Sequence, residues 1–485
     1  MSAGPLDPTT APAFPIAARA AMGDAQLRNN VRHATNVIQA KRARVVDEMP
    51  DWQALREAGK QIRQHAMRYL DVYLEQFEAN CIRAGGVVHW ARDAAEARSI
   101  VVDLVQQSGS DEVIKIKSMT TEEIQLNPAL EAAGIHPYET DLAELIIQLG
   151  HDKPSHIVVP ALHKNRQQIR EIFQRTMHLP ELGDQPQDLA DAARTFLREK
   201  FLRVKTGVSG ANFLIAETGG VCIVESEGNG RMCLTLPETL ITIAGIDKVL
   251  PRFQDLEVML QLLPRSATGE RMNPYNSLWT GIHASDGPRA FHVVLMDNAR
   301  SEILGDEESR QTLNCIRCGA CQNVCPVYRQ TGGHAYGSVY AGPIGAILTP
   351  QLQQMQHAQS LPYASSLCGA CYEVCPVKIN IPEVLIHLRN KVVLQNTAGI
   401  AGLFDIEAAA MKAMAAIFRS ERRFKAAQRL GRIAETPLVR HDQQGLGWIS
   451  WLPGILGGWS QARDLQHMPK QTFRDWWDKR SSDDH

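Results

Sequence analysis

The chain has no excess of charge. Over 485 residues, 51 lysines and arginines nearly cancel 53 aspartates and glutamates, leaving a formal charge of −2. A nucleic-acid-binding surface demands a clearly basic face, so that class is set aside. Long apolar runs are also missing. Residues 398–417 are apolar but carry Asp405, Glu407 and Lys412, and residues 445–460 are uncharged but short and broken by Pro453 and glycines. Neither reads as a transmembrane helix. The opening residues show no basic segment followed by an apolar one, so no signal peptide is expected. No G-x-G-x-x-G follows a strand, since Gly207-Val-Ser-Gly210 lacks that spacing, and no nicotinamide or flavin site is read. None of Cys318, Cys321 and Cys371 is followed by His, which excludes covalent haem attachment.

Cysteine is abundant instead. Seven of the ten cysteines fall between residues 315 and 375. Cys315-x2-Cys318-x2-Cys321-x3-Cys325-Pro326 has the bacterial ferredoxin spacing. Cys368-x2-Cys371-x3-Cys375-Pro376 repeats it about fifty residues on, with Ser365 where the counterpart of Cys315 falls. Cys318-Gly-Ala-Cys321-Gln-Asn-Val-Cys325-Pro-Val overlays Cys368-Gly-Ala-Cys371-Tyr-Glu-Val-Cys375-Pro-Val with two differences in ten positions.

The chemistry follows from the spacing. Three closely spaced thiolates converge on one cubane, and the fourth cysteine points away to the neighbouring cluster. The proline after it ends the local turn. Cys315, Cys318, Cys321 and Cys375 are therefore expected to hold one cluster, and Cys325, Cys368 and Cys371 the other. Two [4Fe-4S] clusters are the expected cofactors. The second has three thiolates, and three arrangements are open for it: Ser365 as ligand, another non-cysteine cap, or a [3Fe-4S] core. Zinc would show two Cys-x2-Cys pairs rather than four cysteines in eleven residues. A secreted disulfide scaffold would be shorter. A cytoplasmic setting is expected for so many free thiols. Cys81, Cys222 and Cys233 lie in helical or β-like segments and read as small buried hydrophobes.

The rest of the chain divides by texture. Residues 1–84 form a helical lead, loose before about residue 15 and interrupted at Pro50. Residues 85–298 alternate strands with helices, the pattern of an α/β layer with parallel strands. Strands are expected near 85–91, 113–117, 156–160, 212–217, 221–226, 231–235, 239–244 and 290–296. Helices are expected near 93–107, 121–133, 164–177, 189–205 and 255–263. Residues 299–395 hold the cysteine repeat among helices. Residues 396–485 begin helical and become irregular, with Trp448, Trp451 and Trp459 in a run read as a packed clasp, contact with a membrane surface or a partner being the other reading.

These residues resemble the lactate-utilisation protein B family. The resemblance rests on the stretch around Cys368–Lys378, on Gly207-Val-Ser-Gly-Ala-Asn-Phe-Leu-Ile-Ala-Glu217-Thr-Gly219, on Lys115-Ile-Lys117-Ser-Met-Thr-Thr-Glu122-Glu123-Ile, and on the tail with Gly457-Gly458-Trp459 and Phe473-Arg474-Asp475-Trp476-Trp477. It implies an N-terminal α/β fold like that of CoA-transferases and ribose-phosphate isomerase, followed by an α-helical ferredoxin domain. It implies seven cysteine ligands and two partners, lactate-utilisation proteins A and C, in oxidation of L-lactate to pyruvate. An electron-transfer subunit without catalysis of its own is the expected function. Two alternatives stand beside it: acyl- or CoA-type chemistry at Glu217, ahead of Thr218-Gly219-Gly220, and clusters that serve only the fold. His136, His151, His156 and His163 cluster in sequence and read as surface or core fillers.

Overall fold

The computed structural model describes residues 9–397, 406–460, 463–469 and 471–483. It divides into two units, Met1–Val392 and Val393–His485. In chain order, the strands of the first unit are β1 (Val87–Ala91), β2 (Glu112–Lys115), β3 (His136–Glu139), β4 (Thr206–Ser209), β5 (Phe213–Ile215), β6 (Gly220–Glu225), β7 (Thr239–Gly245), β8 (Val249–Leu250), β9 (Tyr275–Trp279) and β10 (Ala290–Met296).

Six of them make one parallel sheet in the order β1-β10-β7-β4-β2-β3. Its middle strands are apolar and buried on both faces, as β7 (Thr-Leu-Ile-Thr-Ile-Ala-Gly) illustrates. That composition suits a parallel sheet covered by crossover helices. Pro137 lies in β3, an edge strand, where a missing N–H disturbs the ladder least. A second sheet, β8-β5-β6-β9, is mixed.

Helices Ala25–Asp47, Trp52–Arg68 and Leu70–Arg83 precede the sheet. The first is capped by Asp24, whose carboxylate accepts from the Leu27 N–H at 2.9 Å. These helices pack on the cysteine segment as well as on the α/β layer, so the lead belongs to the core. A buried charge network makes a second tie. Arg300 donates to both oxygens of Glu123 at 3.0 and 2.9 Å and to Asp247 Oδ1 at 2.6 Å. The Tyr340 hydroxyl, from beyond the cysteine run, donates to Glu123 Oε2 at 2.6 Å. Deleting one partner of such a group strands a buried charge, at about 3–5 kcal/mol.

Several local expectations are corrected. Residues 156–160 form a loop, not a strand: the His156 ring accepts the Val158 and Val159 N–H groups that a ladder would have used. Residues 231–235 belong to a helix, Asn229–Thr235, because the Glu225 carboxylate accepts N–H groups of Gly228 and Arg231 around its first turn. The helix expected over 121–133 is two, Met119–Glu123 and Leu126–Ala132, broken where Gln125 takes φ +53°. Strands β3, β4, β8 and β9 were not anticipated.

The second unit contains helices Ile406–Phe418, Glu421–Glu435 and Phe473–Asp483. Between them Arg440–His441, Gly447–Ile449 and Leu465–Gln466 pair as a small antiparallel sheet, which the irregular composition had hidden. Trp448 donates to Asp442 Oδ2 at 3.0 Å. Trp451 is 62% exposed, so it is not part of a packed clasp. The side chain of Trp459 and residues 398–405 lie outside the described residues. Among the described residues, no helix is long and apolar enough to cross a membrane.

Candidate metal centres

The cysteine repeat is a structural repeat. Arg317 and Leu367, each before a cysteine, take φ +61° and +54°. Gly319 and Gly369 follow at φ +72° and +82°, a region only glycine enters without strain. Each glycine opens a one-turn helix, Ala320–Val324 or Ala370–Val374. Each helix ends on an extended cysteine, Cys325 (φ −72°, ψ 120°) or Cys375 (φ −64°, ψ 119°).

Backbone amides aim at the sulfurs. Arg317 N–H donates to Cys315 Sγ at 3.4 Å, Tyr328 N–H to Cys325 Sγ at 3.5 Å, and Ile379 N–H to Cys375 Sγ at 3.3 Å. Ser365 keeps the geometry of Cys315: its Oγ accepts the Leu367 N–H at 3.1 Å.

The cysteines fall into two sets. Cys315, Cys318, Cys321 and Cys375 wall one narrow cavity, closed by Ile316, Ile344, Val377 and Ile379. Burial, and then the nearby Cys375, hold the Cys318 thiol well above its usual range. Cys321 is raised by burial and by Cys315 and Cys318. In the other set, burial and Cys325 push Cys371 up to about 12. Cys325 is raised by burial, and Cys368 adds to the shift. Thiols crowded and buried in this way stay protonated until a cationic core takes up their charge.

The fit is to a polynuclear core. Among the described residues, no three of these sulfurs lie within 4.8 Å of one another. A single tetrahedral zinc, with Zn–S bonds of about 2.3 Å, would draw its sulfurs to roughly 3.8 Å. Five of the seven are buried, Cys315 is half-buried, and Cys368, in the second set, is exposed.

The N-terminal helices supply residues that the spacing of the cysteines does not reveal. A one-turn helix leaves its last carbonyls unpaired. Arg42 Nη2 donates to the Val374 carbonyl at 3.1 Å, and Arg56 donates to the carbonyls of Cys375 and Tyr372 at 3.0 and 3.1 Å. Gln39 does the same for Asn323. Both short helices are thus finished by side chains some three hundred residues away in sequence, and two of these side chains bring positive charge.

Glu217 sits at the end of β5 and is exposed. Its Oε2 accepts the Phe253 N–H at 2.7 Å, which orders the turn after β8. Cys81, Cys222 and Cys233 are buried, away from the seven. Of the clustered histidines, His163 bonds Asp152 at 3.0 Å, and His156 Nε2 bonds Asn323 Oδ1 at 3.1 Å beside the cysteine repeat.

A larger cavity, of about 410 Å³, lies at the carboxyl ends of β2, β4 and β7. Chain reversals leave a crevice there in open parallel sheets. Gly210 lines it in close approach to Ser118: a Cβ at that position would stand 2.2 Å from Ser118 Oγ. Arg317 lines both this cavity and the one walled by the four cysteines. The sequence did carry a signal for it: a cation sits inside the first cysteine run where the second has Leu367.

Comparison with known proteins gives three family matches: the LUD domain over residues 74–296, the 4Fe-4S dicluster domain over residues 311–379, and the C-terminal domain of lactate utilisation protein B over residues 390–482. The dicluster match makes this an iron–sulfur protein. Lactate utilization protein B of Bacillus subtilis is 43% identical over 461 residues, covering 94% of each chain. Lactate utilization protein B 1 of Bacillus mycoides is 42% identical over 459 residues, again 94% of each. The Exiguobacterium protein of the same name is 43% identical over 462 residues, 95% of this chain and 96% of that one. A solved structure of a DUF162 family protein from Deinococcus radiodurans aligns with 47% of this chain and 98% of its own at 13% identity, with a TM-score of 0.28.

Proposed function

The chain belongs to the lactate utilisation protein B family, and from that premise we propose that it is the electron-transfer subunit of an L-lactate oxidation system, working with lactate-utilisation proteins A and C. In this reading Cys315, Cys318, Cys321 and Cys375 hold one [4Fe-4S] cluster, and Cys325, Cys368 and Cys371 hold the second with a non-cysteine fourth ligand. The segment around them is read as an α-helical ferredoxin. Each cluster, when bound, takes up and gives back single electrons, the step a two-electron oxidation of a hydroxy acid needs at its outlet.

The observation that carries the reading is the cavity walled by three cysteines of the first run and the last of the second. Runs interlocked in this way would hold two centres side by side. In one set Cys318, Cys321 and Cys375 are buried, and the other has Cys368 at the surface, where a partner can approach. Amide donors to sulfur and the cations of Arg42 and Arg56 favour the reduced, more negative state.

Anaerobic purification, iron and sulfide analysis, and a redox titration followed by EPR test it. Two clusters reducible at physiological potentials are expected. A colourless, zinc-containing chain would overturn the reading, and so would clusters that resist reduction.

A further inference from the structure

Three buried tyrosines, Tyr328, Tyr336 and Tyr340, follow closely on the first cysteine run. A buried phenol hydroxyl ordinarily finds a partner. Two of these do: Tyr328 donates to the Ser155 carbonyl at 2.7 Å, and Tyr340 to Glu123 Oε2 at 2.6 Å. The Tyr336 hydroxyl, alone of the three, makes no hydrogen bond to oxygen or nitrogen among the described residues. The residue is 2% exposed, on the short turn His334–Tyr336, and its ring centroid lies 4.9 Å from that of Phe14. The ring is thus packed in place, and a polar group left unpaired at such depth is costly.

What stands beside it is sulfur. Burial holds the Tyr336 hydroxyl well above the usual phenol range, and of the ionisable groups around it Cys325 adds most, ahead of Tyr328 and Cys321. Seen from the sulfur, burial raises the Cys325 thiol, and three donors work against that: the backbone N–H groups of Tyr328 and Val327 and the Tyr336 hydroxyl. The Tyr328 N–H donates to Cys325 Sγ at 3.5 Å. A protonated thiol is a weak acceptor, whereas a thiolate accepts a strong, charge-assisted hydrogen bond. The hydroxyl is therefore idle beside the free thiol and gains a partner once the sulfur carries charge.

We propose that Tyr336 donates a hydrogen bond to Cys325 Sγ when that sulfur ligates the second centre, and that this bond raises the potential of the second centre relative to the first. The proposal rests on the assignment of Cys325 to that centre in the reading above. Reduction puts more negative charge on the ligand sulfurs, so a donor at one of them favours the reduced state. Cys321 and Cys325 close the same run but belong to different centres in that reading, and Tyr336 is coupled more strongly to Cys325. Tyr336 is a positioning residue that acts through Cys325, and supplies no ligand of its own.

Redox titration followed by EPR, with resonance Raman of the oxidised centres, tests it on the anaerobically purified full chain. Tyr336→Phe keeps the ring and its packing on Phe14, so it is expected to fold. It should lower the reduction equilibrium of the centre whose signal Cys325→Ser alters by about ten-fold, or about 59 mV for one electron, and move the other centre much less. A terminal Fe–S stretching band should also rise in frequency, because the hydrogen bond that weakened it is gone. Tyr328→Phe removes a neighbouring hydroxyl that is bonded elsewhere, and should leave both potentials where they are. Unchanged potentials in Tyr336→Phe, an equal shift of both centres, or the same shift in Tyr328→Phe would each overturn the proposal. If the centres reduce normally and Tyr336→Phe moves neither potential nor band, this inference falls alone. If the centres resist reduction, the electron-transfer reading falls, and the Raman band still decides this one: a band that stays put overturns it.

Discussion

Arg56 Nε donates to the carbonyl oxygen of Cys375 at 3.0 Å, across more than three hundred residues of chain. Its Nη2 reaches the Tyr372 carbonyl at 3.1 Å, and the side chain is buried. One guanidinium therefore finishes the helix before Cys375 and sets a positive charge beside Cys375, in the first of the two proposed centres. Arg56→Met should cost about 1–3 kcal/mol of stability, since two carbonyls lose a charged donor while each keeps a backbone N–H, from Cys375 and from Lys378. It should also lower the potential of that centre by on the order of tens of millivolts. Arg56→Lys keeps the charge with fewer donors, so it should keep most of the potential and lose part of the stability. EPR-monitored titration and anaerobic denaturation separate the two effects.

The interlocking of the two runs makes a prediction that chain order alone would get wrong. Cys375 closes the second run but lines the cavity of Cys315, Cys318 and Cys321. Cys375→Ser should therefore alter the centre built by the first run, and Cys325→Ser the centre of Cys368 and Cys371. Iron content with EPR of each variant reads this out. A Cys375→Ser variant that disturbs only the signal sensitive to Cys368→Ser would refute the crossing.

Much of this was legible because the relevant physics is local. Cysteine spacing, the glycines at 319 and 369, and the prolines at 326 and 376 specify each half of the repeat without reference to the rest of the chain. The parallel sheet could be read because β7 and β10 are largely apolar on both faces, with only Thr239, Thr242 and His292 as polar members. What stayed hidden is set by contacts between distant segments. Nothing near Arg42 or Arg56 in sequence tells of carbonyls at 372–375. The loop at 156–160 has a strand's composition, and a histidine ring takes its amides instead. Asp247 looks like any aspartate after a strand until the fold gives it to two arginines.

His156 makes acid stability testable. The ring is buried, and burial, helped by the nearby Lys117 charge, holds its pKa down to about 3. The hydrogen bonds agree: Nδ1 accepts two N–H groups, so it carries no proton. In the unfolded chain the ring titrates near 6.5. Between about 6.5 and 3 the unfolded state therefore binds a proton that the folded state refuses, and stability falls as pH falls. The slope approaches about 1.4 kcal/mol per pH unit from this group. Denaturant midpoints measured anaerobically from pH 7.5 to 5 should show it, and His156→Gln should flatten the dependence by about one proton. An unchanged slope would mean that His156 is charged in the folded protein.

Gly319 and Gly369 hold equivalent places in the repeat, yet their surroundings differ. Both need positive φ, so alanine costs about 1–2 kcal/mol at either from backbone strain alone. At Gly369 a new Cβ meets nothing within 4 Å, whereas at Gly319 it would stand 3.1 Å from Val158 Cγ2. The first repeat is pressed against the loop of the α/β layer, and the second is open. Gly369→Ala should therefore show the strain alone, and Gly319→Ala should lose about 1 kcal/mol more from crowding. Trimming the neighbour tests the cause. Relative to Val158→Ala, adding Gly319→Ala should cost no more than Gly369→Ala does in the parent. Chemical denaturation and the rate of iron loss to a chelator provide the measurements. If the excess at Gly319 survives with Val158 trimmed, close packing of the repeat on this loop is not what distinguishes the two glycines.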